Sequence, residues 1–144
     1  MDRSQTEQIE QRCRDLVLAI TQYGDHGEAA KAVELFAEEG TWIRGGRPFT
    51  GREELLASYD VQPRSQITRH INGGTVITVQ DENNAEGVTY YLAYRYDADS
   101  EEAGLPLPLE SPFSMGEWHD RFVHTAQGWR FASRATKRVF VRQG

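Results

Sequence analysis

The spacing of apolar and polar residues changes character once along the chain, near Pro63. Before it, apolar residues recur at intervals of three and four, which is typical of amphipathic helices. After it, apolar and polar residues alternate, which is typical of strands. This order predicts an α+β protein with its helices mainly in the first part of the chain.

Three helices are predicted in the first part. A capping box of Ser4 and Glu7, in which each side chain bonds the other residue's backbone, opens the first helix, which extends to about position 22. The second helix is predicted over 28–38, with Gly40 as its stop signal. Its predicted buried residues are Ala29, Ala32, Val33 and Phe36.

A short strand over 41–43 is predicted to separate this helix from the third. The third helix opens at a second capping box, Thr50 with Glu53. Four long strands then follow, over 66–80, 87–96, 114–125 and 129–141.

Alternation within the strands assigns side chains to faces. In the second long strand, Thr89, Tyr91 and Ala93 share one face, and Val88, Tyr90, Leu92, Tyr94 and Tyr96 share the other. A sheet with bulky residues on both faces is expected to have both covered, one by helices and one by a second subunit. Asp120 and Arg134 fall on adjacent strands and are expected to form a structural ion pair, with substrate anchoring by Arg134 as the alternative.

Composition narrows the functional classes. The length of 144 residues suits a single domain, 1–144. A net charge of −6 without a Lys/Arg block argues against nucleic acid as a partner, and no apolar run approaches the length of a membrane span. Cys13 is the single cysteine, and the N-terminal residues lack a signal-peptide pattern, so a reducing cytoplasm is the expected location.

The candidate chemistry centres on His70. It lies in the β-branched run 67–79, which is interrupted at Gly73-Gly74 by a predicted bulge or sharp bend. Histidine can exchange a proton near neutrality, so on a strand facing a pocket it would serve as a general base; alternatively it is a hydrogen-bonded structural residue. Asp25, between two glycines, is either the N-cap of the second helix or the carboxylate partner of His70.

Several short motifs occur in order across nearly the whole length. They are Tyr23 to Asp25, Ala32 to Trp42, Gly51 to Leu55, Thr68 to Gly73, Gly116, Asp120 to Val123 and Gly128 to Arg134. With these motifs the chain resembles the SnoaL-like group of the nuclear transport factor 2-like superfamily. The resemblance implies a cone in which three N-terminal helices pack on the concave face of a curved, mixed and mostly antiparallel sheet.

The resemblance also implies a catalytic pair. In scytalone dehydratase, hexachlorocyclohexane dehydrochlorinase and bile-acid dehydratase, an aspartate after the first helix orients a histidine on the first long strand. That histidine takes a proton from carbon while a leaving group departs. Asp25 and His70 occupy the matching positions and are the expected catalytic residues.

Departures from the family pattern are also visible. Thr89 stands where scytalone dehydratase has a second histidine, and Gly116 and Trp118 align with its serine and asparagine, so the groups that would stabilise an enolate are not carried over. Trp42, Tyr91 and Trp118 instead predict an aromatic pocket for a flat or polycyclic ligand. The residues expected to bind substrate are Tyr23, Trp42, Thr89, Tyr91, Trp118, Asp120 and Arg134.

The leading hypothesis is a lyase or isomerase of the dehydratase, cyclase or dehydrohalogenase type, which needs no cofactor or metal and acts on an apolar cyclic small molecule. Its rival is a non-catalytic ligand-binding or accessory protein, in which Asp25 is a helix cap and His70 a buried polar residue. A subunit role like that of small dioxygenase β chains is a third hypothesis. Because the tyrosine-rich face of the 87–96 strand is too apolar to leave in water, a homodimer is expected.

Overall fold

A computed structural model of the chain describes residues 1–63, 65–99 and 104–143, and within them it contains three helices and six strands. The helices are α1 (Arg3–Asp25), α2 (Ala29–Val33) and α3 (Gly51–Asp60). The strands are β1 (Phe36–Arg44), β2 (Arg47–Thr50), β3 (Gln66–Asp81), β4 (Asn84–Asp97), β5 (Ser114–Thr125) and β6 (Gly128–Val141).

The six strands form one mixed sheet in the order β2-β1-β6-β5-β4-β3. Strand β1 pairs in parallel with β6, and every other pairing is antiparallel. The predicted α+β class and the mostly antiparallel sheet are therefore confirmed. The four long strands begin and end within a few residues of the positions that alternation predicted.

Helix α1 is longer than predicted at both ends. Its capping box is formed by Asp2 and Gln5, not by Ser4 and Glu7: the Asp2 carboxylate accepts the Gln5 backbone N–H at 2.8 Å, and the Gln5 side chain accepts the Asp2 backbone N–H at 2.9 Å. At its other end α1 includes Asp25. The predicted capping box of α3 is also different, because Glu54 rather than Glu53 accepts the Thr50 backbone N–H, at 3.2 Å.

The prediction of a long second helix is wrong. Helix α2 ends at Val33, and the chain enters β1 at Phe36, which pairs with Phe131 of β6 and packs on its ring at 5.3 Å between centroids. Pairing with β6 overrides the helical spacing, since local propensity is weaker than tertiary packing. Gly40 is not a helix stop: a Cβ there would lie 3.0 Å from the Phe131 carbonyl oxygen, so the close approach of β6 favours glycine.

The paired glycines of β3 form the predicted irregularity. The β3–β4 register shifts between Asn72 and Thr75, and Gly74 has a φ of +105°, a conformation that glycine adopts without strain. The bulge bends the strand beyond His70, so His70 belongs to a regularly paired segment opposite Ala93.

The sheet has two unlike faces. On the helix-covered face, sheet residues including Tyr91, Trp118 and Phe122 pack in one core with α1 residues including Cys13 and Val17. Burial in this core raises the pKa of Cys13 to about 12, which fits the predicted role of a buried small hydrophobe. The opposite face, called the open face below, leaves apolar side chains exposed, namely Ile71, Val76, Tyr90 and Phe140.

No helix in the described part of the chain is both long enough and apolar enough to cross a membrane.

Candidate functional site

A cavity of about 450 Å³ lies between the helices and the helix-covered face. Its lining comes from α1, α3 and strands β1, β3, β4, β5 and β6, so residues far apart in sequence meet there. The volume is within the usual range for small-molecule sites in proteins. Of the residues predicted to act or bind, Asp25, His70, Trp42, Tyr91, Trp118 and Arg134 line this cavity.

Asp25 and His70 are joined by a short hydrogen bond. The distance between Asp25 Oδ1 and His70 Nδ1 is 2.6 Å, and Asp25 Oδ2 accepts the backbone N–H of His70 at 2.7 Å. The hydroxyl of Thr68 donates to the same carboxylate at 3.2 Å. The side chain of Asp25 is 6% exposed and that of His70 is 27% exposed, so the carboxylate is buried behind an accessible ring.

The alternative role of Asp25 as the N-cap of the second helix is wrong. Asp25 is the last residue of α1, the N-cap position of α2 is Glu28, and no side chain of the described residues caps that helix by a hydrogen bond. The Asp25 carboxylate bonds to β3 instead, because the end of α1 lies on that strand.

This hydrogen bond determines which nitrogen of His70 is available. An ionised carboxylate is an acceptor only, so Nδ1 carries the proton that it shares with Asp25. The Nε2 atom then has the free lone pair of a neutral imidazole. The ring lies beside two aromatic rings, Tyr91 at 5.6 Å and Trp118 at 5.5 Å between centroids.

Three aromatic residues of the cavity lining, Trp42, Tyr91 and Trp118, are called the aromatic wall below. Tyr91 and Trp118 are stacked at 4.5 Å between centroids with an interplanar angle of 13°. Trp42 is held by a hydrogen bond of 2.9 Å from its indole N–H to the hydroxyl of Thr136. All three residues are at least nine-tenths buried, so the rings present a largely apolar surface to the cavity.

Gly116 makes room for this wall. A Cβ at position 116 would lie 2.7 Å from the hydroxyl oxygen of Tyr91 and 2.5 Å from the backbone carbonyl oxygen of Lys137. Only glycine therefore allows Tyr91 to stack on Trp118 as it does. Burial raises the pKa of Tyr91, so its hydroxyl stays protonated at neutral pH.

Asp120 and Arg134 form the predicted ion pair. They are register partners on β5 and β6, with two parallel hydrogen bonds of 2.7 and 2.9 Å, and both side chains are almost completely buried. The Arg134 guanidinium also lies over the Trp118 ring, 4.4 Å from its centroid. The pair thus supports the aromatic wall from behind, while Arg134 reaches the cavity lining.

Three of the residues expected to bind substrate lie away from the cavity lining that the described residues form. Thr89 is fully buried, and its hydroxyl bonds to that of Thr75 at 2.7 Å. Tyr23 packs at the edge of the core with the ammonium of Lys31 5.8 Å from its ring centroid. Asp120 lies behind Arg134.

Arg44 and Tyr59 also line the cavity, although the sequence pattern did not predict them as site residues. Arg44 follows Trp42 by two positions in β1, so strand alternation could have placed it on the same face. Its guanidinium lies 4.4 Å from the centroid of the Trp42 ring and 5.1 Å from that of Tyr59. Among the described residues, no group of three or more His, Cys, Asp and Glu side chains is arranged to hold a metal ion.

The mixed sheet with helices on one face, enclosing a cavity with an Asp–His pair, defines a small α+β pocket protein. The sequence model of the SnoaL-like domain family matches residues 6–135. The chain belongs to this SnoaL-like family. A comparison with curated proteins finds no significant match.

Solved structures share the fold at low identity. A protein from Novosphingobium aromaticivorans, provisionally named a scytalone dehydratase, is 16% identical over 98% of this chain and 91% of its own, with a TM-score of 0.79. A second protein from that organism, described as nuclear transport factor 2-like with a cystatin-like fold, is 21% identical over 94% of this chain and 86% of its own, with a TM-score of 0.72.

A third similar structure is ActVI-ORFA from Streptomyces coelicolor. It is 17% identical over 91% of this chain and 97% of its own length, with a TM-score of 0.73. Likeness at these identities establishes the nuclear transport factor 2-like fold and leaves function to the residues of the site.

Proposed function

We propose that this protein is a lyase or isomerase, of the dehydratase, cyclase or dehydrohalogenase type, that uses no cofactor. In this proposal His70, oriented by Asp25, removes a carbon-bound proton from an apolar cyclic small molecule. The observation that carries the proposal is the 2.6 Å hydrogen bond between Asp25 and His70 at the wall of an aromatic cavity.

The arrangement suits proton abstraction for two reasons. Asp25 holds the imidazole in the tautomer that presents the Nε2 lone pair, so the base needs no rearrangement before it acts. When the ring accepts a proton it becomes a cation, and the buried carboxylate of Asp25 then opposes that charge at close range. Assistance of this kind accelerates reactions by about two to four powers of ten.

The cavity favours a ring-shaped substrate. The stacked rings of Tyr91 and Trp118 present a flat apolar surface beside His70. A planar ring system could lie against this surface with a C–H bond directed at the imidazole. The fold likeness to a protein provisionally named a scytalone dehydratase, an enzyme name in the elimination class, supports the same type of reaction.

A second candidate function, ligand binding without catalysis, is favoured by one observation. Asp25 accepts hydrogen bonds from the backbone N–H of His70 and the hydroxyl of Thr68 as well as from the ring. These bonds fasten the end of α1 to β3, which is a structural role that a binding protein would also need.

The test that separates the two functions measures hydrogen exchange at carbon. β-Tetralone, a bicyclic ketone with acidic C–H bonds, is incubated in heavy water with the protein, and deuterium incorporation is followed by NMR above the uncatalysed rate. The wild-type protein should accelerate exchange, and His70→Gln should lose about two to four powers of ten of that rate. His119→Gln, an exposed histidine on the open face, is the matched control. Exchange that is unchanged in His70→Gln, or absent in the wild type, would favour the second candidate function, ligand binding without catalysis.

The proposal includes a homodimer formed through the open face. Ile71, Val76 and Tyr90 of the adjacent strands β3 and β4 are all more than half exposed in the single chain, and Phe140 of β6 is 68% exposed. Apolar side chains collected on one face of a sheet are typical of a subunit interface.

A further inference from the structure

The cavity is positively charged although the chain is acidic. Its described lining includes four arginines, Arg44, Arg95, Arg134 and Arg138, and a single carboxylate, that of Asp25. The chain as a whole has a net charge of −6. The arginines are therefore concentrated at the cavity although the chain as a whole is negatively charged. This concentration indicates that the arginines have a role in the cavity itself.

Two of the four guanidinium groups are already neutralised. Arg134 is bound through two hydrogen bonds to Asp120, and Arg95 pairs with Asp97 at 3.3 Å. The carboxylate of Asp25 is occupied by His70 and Thr68. Within the described part of the chain, the positive charges of Arg44 and Arg138 have no carboxylate within ion-pair distance.

The guanidinium of Arg44 is held in a fixed position by neighbouring side chains. Its guanidinium lies over the rings of Trp42 and Tyr59, and its Nη1 donates one hydrogen bond, at 3.4 Å, to the hydroxyl of Ser58. Guanidinium has five N–H donors, so most of its hydrogen-bonding capacity is open to a ligand. Its stacked position also removes side-chain freedom before binding, which lowers the entropic cost of forming an ion pair.

The surroundings of Arg44 are unfavourable to an isolated cation. Burial lowers the pKa of Arg44, and the positive charges of Arg134 and Arg138 lower it further, although Tyr59 opposes them. An anion in the cavity would relieve this repulsion and supply the counter-charge that the described residues do not. Arg138 also lines the cavity, with its guanidinium 5.5 Å from the ring centroid of Phe113, another residue of the lining.

We propose that the ligand of this cavity is an aromatic or polycyclic carboxylic acid, whose carboxylate pairs with Arg44 and is attracted by Arg138 while its rings lie against the aromatic wall. This inference rests on the proposed function for the use of the site and adds the class of substrate. Arg44 is a specificity-determining residue, because it distinguishes an acid from its neutral analogue.

The test compares two probes of the same shape, 2-naphthoate and its neutral amide, 2-naphthamide. Binding to the purified protein is measured by calorimetry and by quenching of tryptophan fluorescence. The wild-type protein should bind the acid about 10- to 100-fold more tightly than the amide, the range for a charge-assisted hydrogen-bonded pair. Arg44→Gln should reduce this preference to about threefold or less, and Arg44→Lys should retain part of it, since lysine keeps the charge without the planar fork.

Arg52→Gln is the matched control. It removes the same charge from an exposed position of α3, outside the cavity lining, and should leave the preference unchanged. Arg138→Gln should lower the preference by a smaller factor than Arg44→Gln and provides a second measurement if Arg44→Gln does not fold. Equal binding of the two probes by the wild-type protein, failure of the acid to bind at millimolar concentration, or an unchanged preference in both arginine variants would overturn the inference.

Failure of the inference and failure of the proposed function give different results. If His70 catalyses deuterium exchange in β-tetralone while the acid binds no better than the amide, the proposed reaction is supported and the anionic substrate is excluded. If the acid binds through Arg44 while no exchange is catalysed, the ligand class stands and the chain is a binding protein.

Discussion

The carboxylate of Asp25 and the imidazole of His70, 45 positions apart in sequence, are joined by a 2.6 Å hydrogen bond. One residue ends α1 and the other lies within β3, so the bond also connects the helix to the sheet. The same carboxylate accepts the backbone N–H of His70. Asp25 orients the ring of His70, and the backbone of the strand that carries His70 in turn holds Asp25 in position.

Asp25→Asn tests both roles of this carboxylate. Asparagine keeps the shape, but its NH₂ group cannot accept a hydrogen bond. It therefore either leaves the His70 backbone N–H unpaired or donates to Nδ1 of His70 and moves the ring proton to Nε2. We expect the free energy of unfolding to fall by about 1–3 kcal/mol in urea titrations. The β-tetralone exchange rate should fall by about two to four powers of ten.

The double variant Asp25→Asn with His70→Gln completes this test. Exchange in the double variant should be hardly slower than in either single variant, because the two residues act as a unit. Losses that multiply would show that the two side chains contribute independently and would contradict the pair.

Tyr59→Phe should not destabilise the protein. The hydroxyl of Tyr59 is buried and has no hydrogen-bond partner among the described residues, and burial raises its pKa to about 12, so it stays protonated without stabilising contacts. Removing an unsatisfied buried polar group should leave the free energy of unfolding unchanged or raise it by about 1 kcal/mol. Thermal and urea unfolding would measure the change.

Tyr91→Phe is the control for this prediction. The hydroxyl of Tyr91 interacts with Ser114 and Arg138, so its removal should be destabilising. A Tyr59→Phe variant as destabilised as Tyr91→Phe would indicate that the Tyr59 hydroxyl is in fact hydrogen-bonded.

Gly116→Ala should disturb the aromatic wall. The added Cβ would lie 2.5 Å from the Lys137 carbonyl oxygen, a backbone atom that cannot move away cheaply, and 2.7 Å from the Tyr91 hydroxyl. We expect a loss of about 1–3 kcal/mol in unfolding free energy and altered tryptophan fluorescence as Tyr91 shifts against Trp118. Gly104→Ala is the control: a Cβ there would meet no atom of the described residues within 4 Å, so this variant should be neutral. Equal effects at positions 116 and 104 would contradict the packing argument.

The open face is predicted to hold two subunits together. Tyr90→Glu and Phe140→Glu each place a charge among exposed apolar side chains, which a dimer interface could bury only at high cost. Sedimentation should show a dimer for the wild-type protein and a monomer for both variants. Leu18→Glu, an exposed apolar position on α1, should remain dimeric. A monomeric wild-type protein at micromolar concentration would remove the dimer from the proposal.

Much of the site could be anticipated, because its residues are marked by local patterns. Alternation placed Tyr91 on one face of its strand with Thr89 and Ala93, and the family resemblance predicted an aromatic pocket that also includes Trp118. The structure stacks the rings of Tyr91 and Trp118 in the cavity. Arg44 was missed because its residue type and strand position also fit a solvent-exposed arginine. Its role depends on Trp42 and Tyr59, and only the packing of α3 against β1 brings Tyr59 to it.

The sequence by itself determined the fold class, the long strands and the residues of each face, because the period of the apolar pattern reflects the local backbone conformation. It could not determine the backbone conformation of Phe36. The spacing of this residue fits a helix, and it becomes part of a strand only because it pairs with β6. It also left Asp25 undecided between capping a helix and binding His70. That choice depends on where the end of α1 meets β3, and contacts between distant segments exist only once the chain has folded.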